Sequence, residues 1–400
     1  MKLIDSKKKL EIYCYQEGYL GWDPYDGMNS KIFQLIPLKR WDVFRLIWIQ
    51  FFKISPINFR SIFLVPKQFN SKGLALLILG YCNIIKTDNF EEHYSLSKND
   101  ILNRIKKLSS ILIKNRCSGY SGSCWGYNFD WQARRLFLFP KNTPTVVATA
   151  FCVEALIEAY EVTKEKYLLE TALTSSKFII NDLRKIKIKK GLILSYSPIS
   201  GNNTVFNASL LGAKTLSLCY HYTKNNKYAK YAKKIVRAAC DFQEPDGSWK
   251  YGLLKVQSWK DSFHTGYNIE CINTYSKLCD DHSFDKNIKK GLDFYLNNFF
   301  ENDGFPKYYH NKSFPVDIHC PAQLLVTLSK LNLIEEYKEL AEKVLIWTIK
   351  NMQSSKGFFY FQKHRYFTNK ISYMRWSNAY MLNAMTLFYK KQNFSVDATY

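Results

Sequence analysis

The sequence predicts an all-α protein, an (α/α)6 toroid of six helical hairpins with short β-turn elements at one end. Three observations lead there. Strongly apolar helices with a small or polar start recur from Gly73, Thr145, Asn207, His264, His319 and Asn378, with starts 55 to 72 residues apart. Between them lie lysine-rich segments such as "KYAKYAKKIVRAACDFQ", whose apolar residues return every three or four positions. The connectors from the second kind to the first, such as "EPDGSWKYGLLKVQSWKDSF", carry glycine followed by aromatics at alternate positions.

Helices with one wet face belong outside, and helices apolar nearly all round belong inside. Each hairpin alone leaves an apolar face bare, which stacking neighbours bury. The first outer helix is expected in "WDVFRLIWIQFF", Trp41 to Phe52. It is too short, and too interrupted by Asp42 and Arg45, to span a bilayer. It reads as a core helix, with a helix lying on a membrane surface as the alternative. Residues 41–392 then form the toroid, 1–40 an N-terminal extension and 393–400 a C-terminal tail, with no Gly-, Ser- or Pro-rich boundary between them. All five connectors fall at the end where the inner helices begin. That end gathers Trp, Tyr, Asp, His and Arg around a funnel mouth, toward which the inner-helix N-termini point partial positive charge.

The chain has 57 Lys+Arg against 34 Asp+Glu, a formal net charge of +23. Such a field attracts an anionic glycan or an anionic membrane surface. AT-rich coding, with abundant Lys, Asn, Ile, Tyr and Phe, accounts for the same balance. No Arg-rich arm, zinc-finger spacing or RNA-binding aromatic motif is present, so nucleic acid is not an expected partner. The ten cysteines are scattered without a C-x-x-C pair. They read as small buried hydrophobes in a reducing compartment, and neither a metal nor a cofactor is implied. The start, "MKLIDSKKKLEIY", has no signal-peptide core, so a cytoplasmic location is expected, with the inner membrane face as the alternative.

Two resemblances rest on particular residues. "QEPDGSW", Gln243 to Trp249, resembles the Q-x(n)-G-x-W repeat of terpene cyclases and related α/α-toroid proteins, with a weaker echo in "QSSKGFF" from Gln353. The resemblance implies the fold, not the chemistry. The cyclase D-x-D-D acid is absent, and the zinc set of the prenyltransferases cannot be located. Second, "WGYNFDWQ", "NTPTVVATAF", "DGSWKYG", "SFHTGYNIE", "KYY…PVDIH" and "MRWSNAYM" together resemble an uncharacterised family of bacterial and archaeal proteins. Its members are encoded among surface-polysaccharide biosynthesis genes, and some carry the label delta-aminolevulinic acid dehydratase. The chain lacks the β/α alternation of that enzyme's barrel. The resemblance implies glycan metabolism.

For a glycan in the funnel, Asp130, Asp261 and Asp317 are the acid/base candidates, with His264 and His319 as proton-transfer or binding groups. Hydrolysis would need two facing carboxylates. Lyase or uronate-epimerase chemistry would need a base and a group that neutralises a carboxylate. Asp261 and Asp317 also sit where an inner helix wants a cap. Trp125, Tyr127, Trp131, Trp249, Tyr251, Trp259, Tyr267, Tyr308 and Trp376 are the expected sugar platforms and binding rings, with Trp125, Trp249 and Trp259 favoured by their loop positions. Asn207, Glu270 and Arg375 are the expected polar contacts, Arg375 as an anion clamp. The function expected is that of a carbohydrate-active protein of surface-polysaccharide assembly. Its ligand is a glycan, anionic or lipid-linked, and its chemistry is of hydrolase, lyase or epimerase type. The alternatives are a non-catalytic glycan-binding protein and a prenyl- or terpenoid-handling toroid.

Overall fold

The computed structural model describes residues 3–133, 138–202 and 204–391. Its helices are α1 (Leu3–Gln16), α2 (Lys31–Leu35), α3 (Asp42–Ile54), α4 (Ser71–Ile85), α5 (Phe90–Tyr94), α6 (Lys98–Lys114), α7 (Val146–Thr163), α8 (Lys166–Lys177), α9 (Phe206–Thr223), α10 (Asn226–Asp241), α11 (Ser262–Cys279), α12 (Asp285–Phe299), α13 (His319–Leu331), α14 (Lys338–Met352) and α15 (Tyr380–Lys391). The strands are short antiparallel pieces in the connectors. They are β1 (Trp131–Gln132) with β2 (Leu138–Phe139), β3 (Lys185–Ile188) with β4 (Gly191–Leu194), and β5 (Val316–Asp317), β6 (Gln362–Lys363) and β7 (Thr368–Asn369) in one sheet.

Six helices close a ring, because α4 packs on α7, α7 on α9, α9 on α11, α11 on α13, α13 on α15 and α15 back on α4. Their sequences explain their place. In α4 every residue from Ser71 to Ile84 is buried, including Lys72 and Asn83, as expected of a helix with neighbours on all sides. An outer helix such as α10 instead buries Ala232, Ile235, Val236 and Ala239 and turns its lysines to solvent. The (α/α)6 toroid is the observed fold.

The first outer helix is α1, not Trp41–Phe52. The turn closing the ring decides this. Gln353 accepts a hydrogen bond from Ser6 Oγ at 2.7 Å and donates to the Ser6 carbonyl at 3.1 Å. A Cβ on Gly357 would stand 2.4 Å from the Lys9 carbonyl. The Q-x(n)-G turn does the same two hairpins earlier: Gln243 Nε2 donates to Gly247 O and to Asn287 O, the latter at the start of the next outer helix. The motif therefore ties each turn to its own helix end and to the next hairpin. Helix α3 lies on the funnel rim between α1 and α4, against the loop ahead of α2 and against β1. Residues 393–400 lie outside the described residues, as does residue 392 at the end of the expected toroid.

Candidate active site

The funnel at the N-terminal end of the inner helices is a cavity of about 290 Å³, lined by residues from every hairpin and by α3. Thirteen aromatic side chains line it, and among the described residues lining it there is no Asp or Glu. Of the expected residues it brings together Tyr127, Trp131, Asn207, Tyr251, Trp259, His264, Tyr267, Tyr308, His319, Arg375 and Trp376.

The others are placed elsewhere. Trp125 is fully buried, with its indole N–H on the Leu112 carbonyl at 2.8 Å. Trp249 is 2% exposed, with its N–H on the Ala239 carbonyl at 2.9 Å. Both rings pin a connector against the end of the preceding outer helix, so neither is a sugar platform. Asp130 holds the Lys141 backbone N–H at 2.7 Å, away from the cavity lining. Glu270 lies deeper on the barrel axis, where Lys214 bridges it and Glu154 at 2.6 and 2.7 Å. Lys330 adds a third ion pair, to Glu154 at 2.7 Å.

Asp261 and Asp317 are both buried and hold matching surroundings. Asp261 is the N-cap of α11: its Oδ1 accepts from His264 N at 3.0 Å, and its Oδ2 accepts from Trp259 Nε1 at 3.0 Å. The same Oδ2 is 2.8 Å from His264 Nδ1. Asp317 accepts from His319 N at 2.9 Å, Trp376 Nε1 at 2.9 Å and Gln362 Nε2 at 2.7 Å. His319 Nδ1 stands 3.5 Å from Asp317 Oδ1, within ion-pair reach but without hydrogen-bond alignment. A Trp–Asp–His set therefore occurs twice, in successive hairpins. Asp261 both caps α11 and orients the His264 imidazole, whereas Asp317 holds the His319 backbone N–H and leaves the ring Nδ1 without a hydrogen bond among the described residues. An Asp oxygen on His264 Nδ1 fixes the proton there and leaves Nε2 with the free lone pair.

The two histidines flank Phe263, whose ring centroid is 4.1 Å from that of His264 and 5.1 Å from that of His319. They differ in depth: the His264 side chain is 20% exposed and that of His319 is 1% exposed. Burial drives the His319 pKa down to about 3 against the opposing pull of Asp317, so the ring is neutral at physiological pH. For Asp317, burial favours the neutral acid, but the donors around it outweigh burial and leave its pKa below the usual value.

Three basic side chains line the same cavity. Arg375 is held by Asp23, with Nη2 to Oδ1 at 2.7 Å and a second bond from Nε to Oδ2. Its charge is thus matched within the protein before any ligand arrives. Lys53 lies over the Tyr25 ring. Lys72 donates to Tyr267 Oη at 3.2 Å, and its Nζ is 4.2 Å from the Phe151 ring centroid. Burial, with Arg375 nearby, pushes the Lys72 pKa well below that of a free lysine. Asn207 lines the cavity, and its buried Oδ1 has no hydrogen-bond partner among the described residues.

Sequence reasoning missed Lys72, Asp23, Tyr25 and Tyr196. A signal existed for Lys72, the one charge in "SKGLALLILGYCNII". Asp23 and Tyr25 sit in "GWDPYDGM", within the segment read as an extension, and nothing local marks them as funnel residues.

No family model and no curated protein matches the chain. Solved structures do. Cellobiose 2-epimerase from Bacillus thermoamylovorans superposes with a TM-score of 0.61 at 14% identity, covering 82% of this chain and 89% of that one. A family 76 glycoside hydrolase, a mannosidase from Bacteroides thetaiotaomicron, gives 0.59 at 11% identity over 97% of both chains. A sugar epimerase from a ruminal bacterium gives 0.59 at 15%, covering 83% and 91%. The shared feature is the six-hairpin toroid, the scaffold of these carbohydrate-active enzymes.

Proposed function

We propose that the protein is a sugar epimerase or isomerase that moves a proton at a carbon next to a carbonyl or carboxylate. The observation that carries this reading is two histidines, each beside a buried Asp and His264 hydrogen-bonded to its own, in an aromatic cavity whose described lining has no carboxylate. Proton abstraction from carbon needs a base with a pKa near the working pH and a dry, positive surrounding for the oxyanion that forms. In this reading His264 Nε2 takes the proton and, as the imidazolium, returns one to the reacting or the neighbouring carbon, while the neutral His319 hydrogen-bonds the sugar. Lys72, and the N–H groups of Arg375 that Asp23 does not take, donate hydrogen bonds to the enediolate or aci-carboxylate oxygen. Stacked Tyr251 and Trp259, 4.5 Å between centroids, hold the sugar face. The epimerases among the structural matches support the same class.

The sugar ligand is a mono- or oligosaccharide presenting a carbonyl or uronate oxygen toward the cations. A place in surface-polysaccharide assembly, cytoplasmic or at the inner membrane face, is the context that the motif resemblance supports. Hydrolysis by two facing carboxylates is the weaker reading: the mannosidase match favours it, but Asp261 and Asp317 have their oxygens committed to indole, amide and imidazole groups. The test is incubation with aldoses, neutral disaccharides and uronate oligosaccharides, with products separated by anion-exchange chromatography. New epimer or ketose peaks, absent with His264→Asn, are expected. New reducing ends without epimers would restore the hydrolase reading, and bound but unchanged sugar would leave a binding protein.

A further inference from the structure

Helix α3 carries two apolar stripes where an ordinary surface helix carries one. The inward stripe, with Trp48, Ile49 and Phe52, packs on Met28 and Phe33 and over the buried Arg60–Asp26 ion pair. The outward stripe is Val43, Ile47, Phe51 and Ile54, at spacings of four, four and three residues. These four are 64%, 60%, 41% and 57% exposed. Trp41 ahead of the helix and Ile57 and Ile62 after it are exposed beside them. Half-exposed aliphatics in such density are unusual on a water-facing surface.

The charges in this stretch of the chain are mostly basic. From residue 31 to residue 67 the chain has seven Lys and Arg and a single acid, Asp42. Lys31 and Arg40 are exposed, while Arg60 is spent on its buried ion pair with Asp26. An exposed apolar stripe flanked by bases and a tryptophan has the composition of a helix lying in the headgroup region of an anionic bilayer. The helix also adjoins the funnel. Gln50 and Lys53 on α3 line the cavity, and Arg45 bonds Gln132 on the cavity wall at 2.8 Å. Asn369 of the rim hairpin holds the Ser55 carbonyl at 2.9 Å just past the helix.

We propose that this protein docks peripherally on an anionic membrane through the outward face of α3 and the segments flanking it, which brings the funnel mouth to the lipid surface. The inference stands on the surface alone and does not depend on the chemistry in the cavity. The membrane-surface alternative left open by the sequence thus gains its geometry: α3 buries one stripe in the protein and leaves the other for lipid.

The experiment is sedimentation of the full chain with vesicles of phosphatidylcholine alone and of equimolar phosphatidylcholine and phosphatidylglycerol. The wild type is compared with Ile47→Glu/Ile54→Glu and with Lys31→Glu/Arg40→Glu. Binding to the anionic vesicles is expected, at least about 10-fold weaker in each double variant. All four positions are exposed or lie outside the packed stripe, and unchanged thermal melting confirms that each variant folds. Wild type remaining in solution with both vesicles overturns the proposal, as does binding that the glutamates leave intact. A concentration-dependent oligomer in solution that Ile47→Glu/Ile54→Glu converts to monomer also overturns it, since the face is then an interface between protein chains.

Discussion

His319 shows how burial decides what a titratable side chain can do. Its pKa of about 3 lies below the ordinary histidine value of about 6.5. Between those two values the unfolded chain binds a proton that the folded protein excludes. Stability from this group therefore falls as pH falls through that window, by at most ~1.4 kcal/mol per unit. Buried Asp26, raised to about 6 by burial despite Arg60, works in the opposite sense over its own window. The contrast between variants isolates the histidine. His319→Gln is expected to lose less melting temperature than wild type between about pH 7 and about pH 5. An equal loss would contradict the buried neutral ring. At Asp261, replacement by Asn keeps a carbonyl for the cap but puts an amide N–H against His264 Nδ1. The amide also meets the Trp259 indole N–H, so stability is expected to fall by about 1–3 kcal/mol, while turnover falls at least ~100-fold. Full turnover in Asp261→Asn would deny the carboxylate its orienting part.

At the scale of elements, the barrel axis below the site is held by charge instead of packing. Lys214 stands between Glu154 and Glu270, and its cation keeps the Glu154 pKa down near 2 although burial pulls the other way. Lys214→Met leaves two buried carboxylates facing each other and is expected to cost about 3–5 kcal/mol in denaturant unfolding. Adding Glu154→Gln and Glu270→Gln should recover most of that. A single variant as stable as wild type would mean water already reaches the network. The division into inner and outer helices was legible from this level of sequence, because burial all round and burial on one stripe leave different periodicities. The site was legible in part. Asp261, His264, Asp317 and His319 stand at helix starts where capping chemistry and alternating aromatics are local signals. Asp23 was not legible, because its partner Arg375 is 352 residues away, and the lone charge that marked Lys72 gave no hint of its partner Tyr267, 195 residues away. Helix α3 misled for a related reason: two apolar stripes read as a core helix unless something shows which stripe is covered.

At the scale of the whole molecule, the ring is closed by its first helix. In α1 the sequence "LIDSKKKLEIYCYQ" looks like a solvated extension, yet Leu10 and Cys14 are buried and Lys7 lies over the Tyr389 ring at 4.1 Å. The cost of burying that lysine shows in a pKa lowered to about 8. Removing residues 1–17 uncovers α15 and frees the Gln353 turn. The truncated chain is expected to lose cooperative melting or to aggregate. A truncated chain melting like wild type would show that α1 is an appendage and not the sixth outer helix.

The site's chemistry rests on this closure, since the histidines of α11 and α13, the lysine of α4 and the Asp23–Arg375 pair reach one cavity only in a complete ring. The most direct measurement is solvent exchange. Aldoses, disaccharides and uronate oligosaccharides are incubated with the protein in D2O and followed by proton NMR. Loss of the signal from the C–H next to the carbonyl or carboxylate is expected, with deuterium in substrate or epimer. His264→Asn should abolish it and His319→Asn should weaken it. A glycosidic bond cleaved with that C–H untouched would contradict proton transfer as the function of this funnel.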